Sequence, residues 1–196
     1  MNALIIVDIQ HDFLPGGALA VPHGGEVTGV INRIQADYDL VVATQDWHPA
    51  GHKSFASSHH GKKPYELIDL NGLPQTLWPD HCVQGTAGAA LSEELDTKRI
   101  EAIFRKGMDV EIDSYSGFFD NGRRKATGLA GYLRDRNVSS VAVCGLAADY
   151  CVFFTAMDAL DAGFGAVILD HASRAIDPIG YEAKKAEFLQ KGGLLR

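Results

Sequence analysis

Two groups of residues in this sequence are of types that do chemistry. The stretch TQDWHPAGHKSFAS sets Asp46, His48 and His52 in quick succession. If the chain leaving the preceding apolar run is still extended, Asp46 and His48 project from one face. A carboxylate beside an imidazole suits a divalent zinc, manganese or iron ion. The pair alone is not a site, because Asp-x-His also arises in loops that hydrogen-bond themselves. A further ligand must come from elsewhere, and LWPDHCVQGT offers His81. His52, four past His48, could complete the shell or orient a ligand from outside it.

The second group is an acid, a base and a thiol. Cys151 follows a glycine turn at Gly145 and falls in the first turn of a helical pattern. Unpaired N–H groups and the positive dipole end gather there, which favours thiolate. The competing reading is a small apolar residue on the packed helix face. Asp8 ends the run ALIIVD, either capping the next turn or serving as general base to the thiol. Lys106, in FRKG, is either a surface lysine or a cation that favours both thiolate and carboxylate. Cys144 reads as inert core, and Cys82 has no second thiol spaced to form a metal pair with it.

These residues need a scaffold, and the sequence supplies one. Apolar, β-branched-rich runs occur at 3–8, 39–45, 100–104, 139–146 and 165–170. They are nearly continuous rather than alternating, as in strands of a parallel sheet covered on both faces. Helical stripes lie between them at 25–36, 126–136, 149–162 and 179–190. The alternation predicts an α/β domain, with a three-layer, doubly wound, mostly parallel sheet flanked by helices. One domain over 1–196 is expected, interrupted by a long irregular segment at about 46–98 that should carry function. Ligands in such sheets sit at the carboxyl ends of strands, where Asp8, Asp46, Lys106 and the turn before Cys151 all fall.

The composition excludes several classes. Hydrophobic residues make up 46% and charged residues 22%, which fits a folded domain. A formal net charge of −7 argues against nucleic acid or an anionic membrane as partner. No run approaches the roughly 20 apolar residues of a bilayer span, and the N-terminus lacks the basic start of a signal peptide. Three cysteines without a CxxC pair favour a reducing compartment, with the cytoplasm expected.

Six segments together carry a resemblance: VDIQHDF, TQDWHPAGHKSFAS, LWPDHCVQGT, FRKG, DSYSGFFD and VCGLAADYCVFFTAMDA. In order and spacing they resemble the nicotinamidases, metal-containing members of the isochorismatase-like cysteine hydrolases, over nearly the whole chain. The resemblance implies a Rossmann-like fold and hydrolysis of nicotinamide to nicotinate and ammonia through a thioester, with pyrazinamide as a further substrate. It puts the catalytic triad on Asp8, Lys106 and Cys151. One divalent metal ion, zinc first and iron or manganese as alternatives, falls on Asp46, His48 and His81, with His52 in an outer role. Phe13, Trp78, Tyr115 and Leu146 fall on the pocket. A cis peptide is implied at Leu146–Ala147, with an oxyanion hole from the Ala147 and Cys151 N–H groups. A related amidase of another small amide, or an inactive binding homologue, are the alternatives; a homo-oligomer is left open.

Overall fold

The computed structural model describes residues 1–196. Its centre is a six-stranded sheet ordered Ile100–Lys106, Leu40–Asp46, Asn2–Val7, Ser140–Leu146, Gly165–Arg174, Leu194–Leu195. The strands are β1 (Asn2–Val7), β2 (Leu40–Asp46), β5 (Ile100–Lys106), β6 (Ser140–Leu146), β7 (Gly165–Arg174) and β8 (Leu194–Leu195). Every neighbouring pair is parallel. The expected fold class is the one observed, with its order reversing between β1 and β6.

Strand β1 explains why the apolar runs are continuous. Ala3, Ile5 and Val7 pack into a core with Leu129, Leu133, Phe153, Ala156 and Phe188. Leu4 and Ile6 point to the other face and pack with Val27 and Ile31. The period of two thus sends alternate side chains into two cores, and both must be apolar. Each fully buried Leu or Ile contributes roughly 1.5–3 kcal/mol. Helix α1 (Gly25–Ile34) covers one face; α2 (Leu129–Asp135), α3 (Phe153–Asp161) and α4 (Pro178–Gln190) supply side chains to the other. The start of α4 is set locally: Asp177 accepts a hydrogen bond from the Ile179 N–H, and Pro178 takes a first-turn position that needs no donor.

The segment 46–98 is not wholly irregular. It holds an antiparallel hairpin of β3 (Leu67–Leu70) and β4 (Leu73–Thr76), closed by Asn71-Gly72 with both residues at positive φ. No helix is long and apolar enough to cross a membrane.

Candidate active site

Sheet register does most of the placing. Asp46 of β2 is level with Lys106 of β5, and Val7 of β1 is level with Gly145 of β6. Asp8 and the turn carrying Cys151 therefore emerge side by side where the sheet order reverses. Gly145 has φ +119°, and a Cβ there would stand 2.1 Å from the Val7 carbonyl oxygen, so only glycine lets β6 turn this close to β1. The Leu146–Ala147 peptide is cis. Cys151 lies in a π-helical turn, Ala148–Val152, that leads into α3.

Lys106 is the hub. Its ammonium stands 2.9 Å from Asp8 Oδ2, 3.1 Å from Asp46 Oδ1 and 3.4 Å from Cys151 Sγ, and donates to the Ser114 carbonyl at 3.1 Å. Burial opposes this charge, yet Asp46, Asp8 and Cys151 together hold the Lys106 pKa well above its ordinary value. Asp8 accepts the Thr44 hydroxyl on its other oxygen at 2.6 Å and has φ +51°, a strained backbone for a non-glycine residue. Burial pushes the Asp8 carboxyl up, against the pull of Lys106.

Cys151 departs from the thiolate expected of a helix start. Burial pushes its pKa well above the ordinary thiol value; Lys106 opposes this, while Asp8 and Asp46 add to it. Desolvation and two nearby carboxylates outweigh the dipole end. These surroundings favour the thiol form of Cys151 over the thiolate.

The second cluster is organised around Asp46 Oδ2, which lies 3.0 Å from His48 Nε2 and 3.4 Å from His81 Nε2. One ligand atom from each of Asp46, His48 and His81 falls within 4.8 Å of the others, and all three residues are buried. His48 Nδ1 faces the Gly107 carbonyl at 3.0 Å, and His81 Nδ1 faces the Pro79 carbonyl at 2.8 Å. A carbonyl only accepts, so both Nδ1 atoms carry hydrogen, and in the neutral rings both Nε2 lone pairs point toward a carboxylate. That contact requires a cation or a proton between the groups. Asp46 Oδ1 is moreover buried without a well-directed hydrogen bond. Gly107, at φ +68°, completes the cradle, since a Cβ there would meet the His48 ring at 2.5 Å and Asp46 Oδ1 at 2.9 Å. The donor set and its orientation fit a divalent metal ion.

His52 is not free to join this set. Its Nε2 faces the Asp109 carbonyl at 2.8 Å, its Nδ1 pairs with Ser54 Oγ at 2.7 Å, and its ring lies 4.4 Å from that of His48. Both nitrogens are engaged, so it braces His48.

Between the two clusters lies a small, tight cavity. Phe13, Trp78, Tyr115 and Tyr150 line it, together with Ile176, Asp46, His81, Ala147 and Cys151. Trp78 meets Tyr150 edge-to-face at 4.8 Å, and Tyr115 meets Tyr150 at 5.2 Å. Aromatic walls around a small volume suit a flat ring. The Ala147 N–H has no hydrogen-bond partner within the chain. Leu146, expected at the pocket, does not line it. It is fully buried in the α1-side core and approaches Gly24, because alternation along β6 turns it away from the cavity. A wider cleft on the other side of Tyr115 lacks the triad and the histidines.

Several residues here escape the sequence reading. Thr44 anchors Asp8, and Gln10 holds Asp46 by its backbone, donating to its carbonyl at 2.8 Å and accepting its N–H at 2.7 Å. Leu19, Asp113, Tyr150 and Ile176 line the cavity. Tyr150, directly before Cys151, had a visible signal; Gln10 and Thr44 are ordinary strand-end residues until the register is known.

The sequence matches the Isochorismatase domain family over residues 2–195. It is 50% identical to the nicotinamidase of Escherichia coli (strain K12) over 180 residues, 90% of this chain and 84% of that one. The structure is similar to that of a nicotinamidase/pyrazinamidase from Acinetobacter baumanii, with TM-score 0.96 and 42% identity, covering 99% of this chain and 94% of that one. It is also similar to the pyrazinamidase of Pyrococcus horikoshii in complex with zinc, with TM-score 0.81 and 36% identity, covering 100% and 98%.

Proposed function

The chain belongs to the isochorismatase domain family, and from that premise we propose that it hydrolyses nicotinamide to nicotinate and ammonia, with pyrazinamide as a second substrate. The observation that carries this reading is the junction at Lys106, whose ammonium lies within 3.4 Å of Asp8, Asp46 and Cys151 at once. A nucleophile and a metal-type carboxylate therefore line one aromatic cavity, and the base stands behind them against the same ammonium.

The aromatic walls receive the pyridine ring and set its carboxamide over Cys151. Asp8 takes the thiol proton as the sulfur attacks the carboxamide carbon. Lys106 stabilises the negative charge that this transfer creates. The N–H groups of Ala147 and Cys151 hold the oxyanion. Asp8 then gives its proton to the departing nitrogen; the C–N bond breaks, ammonia leaves and the acyl group remains on Cys151 as a thioester. A water that loses its proton to Asp8 attacks the thioester carbon and releases nicotinate, and the proton returns to the sulfur. A divalent metal ion held by Asp46, His48 and His81, with zinc the first expectation and iron or manganese the alternatives, would supply a Lewis-acidic anchor that orients the ring. Three unpaired cysteines support a reducing, cytoplasmic setting.

The test joins an ammonia-release assay on nicotinamide and pyrazinamide with metal analysis of the same preparation. Ammonia release that depends on Cys151 and on about one metal per chain is expected. A fully metal-loaded protein inert toward both amides would overturn the reading.

A further inference from the structure

The turn carrying the nucleophile is held by an acid that the mechanism does not use. Asp149 stands two residues before Cys151, is 2% exposed and does not line the cavity. Its Oδ1 accepts the Ile176 N–H at 2.9 Å, and its Oδ2 accepts the Asp177 N–H at 2.8 Å. Both amides belong to the link between β7 and α4. Ile176 is a wall of the cavity, and Asp177 caps α4. One carboxylate therefore spans from the cysteine turn to the facing wall.

A second contact closes the same junction from α4. The Lys184 ammonium donates to the backbone carbonyl of Asp149 itself. It lies 4.4 Å from the Tyr150 ring centroid and 5.1 Å from that of Phe154. Tyr150 is both a cavity wall and the neighbour of Cys151, so this lysine grips the turn by its backbone and by its aromatic side. Two donors converge on the two oxygens of Asp149. Asparagine has the same shape but only one acceptor oxygen, and it would turn an NH2 group against the second N–H.

We propose that Asp149 is a positioning residue for amide hydrolysis, fixing the Cys151 thiol relative to the Ile176 wall, with Lys184 as the clamp on its backbone. The inference rests on the role assigned to Cys151 above. A residue that merely stabilised the fold would lower the unfolding temperature and leave each folded molecule's chemistry intact. A positioning residue changes the chemistry of the folded enzyme.

The test uses metal-loaded wild type, Asp149→Asn, Lys184→Met and Lys184→Arg, all assayed below their unfolding temperatures and normalised to folded protein. Steady-state kinetics on nicotinamide is read beside the rate of Cys151 alkylation by iodoacetamide, followed by mass spectrometry. For Asp149→Asn, kcat should fall and KM rise, lowering kcat/KM at least about tenfold, with the alkylation rate shifted severalfold. Lys184→Met should show a smaller loss in the same direction, and Lys184→Arg should recover most of it. Folded Asp149→Asn and Lys184→Met with kcat, KM and alkylation within twofold of wild type would overturn the proposal. If Asp149→Asn does not fold, Lys184→Met decides by the same limits. A wild type that releases no ammonia would instead overturn the assigned reaction, and the alkylation rates would still decide the positioning role.

Discussion

The two halves of the candidate site are built by different means. Asp8, Lys106 and the turn before Cys151 leave the ends of three parallel strands, and the sheet's register sets their spacing. On the other half only Asp46 stands on a strand; His48 and His81 come from the long segment that follows it. Their aim is set by backbone carbonyls of Gly107 and Pro79, by the brace of His52 and by the absence of a side chain at Gly107. The triad is thus held by hydrogen bonds that the whole sheet shares. The histidine half is held by a few local ones, so single changes should damage it in a separable way.

That contrast can be broken most severely at the sulfur. Cys151→Ala should lower kcat by about 10⁴-fold or more while metal content, measured by elemental analysis, stays at the wild-type value. A variant that kept its turnover would remove Cys151 from the chemistry. The complementary change is Gly107→Ala, whose methyl group would stand 2.5 Å from the His48 ring at a backbone angle of φ +68°. It should expel the ion and destabilise the fold by about 1–3 kcal/mol. A fully loaded, normally stable Gly107→Ala protein would contradict the cradle.

His52→Ala sharpens the comparison, since it removes a brace and leaves all three nitrogen and oxygen donors in place. Metal affinity should weaken by about 10–100-fold, read by competition with a chelator, and kcat at saturating metal should change little. Unchanged affinity would show that the His48 ring needs no support. The smallest effect is expected at Thr44→Val. Its hydroxyl, 2.6 Å from Asp8 Oδ1, lowers the Asp8 pKa, so its loss should raise that pKa further. The acid limb of kcat/KM then moves to higher pH, with about a tenfold loss or less below neutrality. A shift to lower pH, or none, would separate Asp8 from the proton transfers.

The difference between the halves also governs what the sequence reveals. Strands β1, β2 and β6 are legible because both of their faces are buried, which forces continuous apolar runs, and their ends then point to Asp8, Asp46 and Cys151. The hairpin at 67–76 is not, although Asn71-Gly72 is a turn signal. Its strands are short, partly exposed and carry Pro74, so neither alternation nor continuity marks them. The β8 strand has two residues and leaves no pattern. Leu146 could be taken for a wall because it adjoins Ala147, and only the pleat shows that it faces α1. The upward push on the Cys151 thiol is equally hidden, since a helix start is visible in sequence and the desolvation by distant segments is not. Thr44 and Gln10 act through partners 36 residues away.

One ammonium stands against both Asp8, the acid proposed to move protons, and Asp46, the acid proposed to hold an ion. Grafting Asp8, Lys106 and Cys151 together onto another member of this fold without an equivalent of Asp46 would leave Lys106 short of a counter-charge. The transplanted lysine would then be drawn harder onto the base, and the graft would inherit a slower proton acceptor along with its nucleophile.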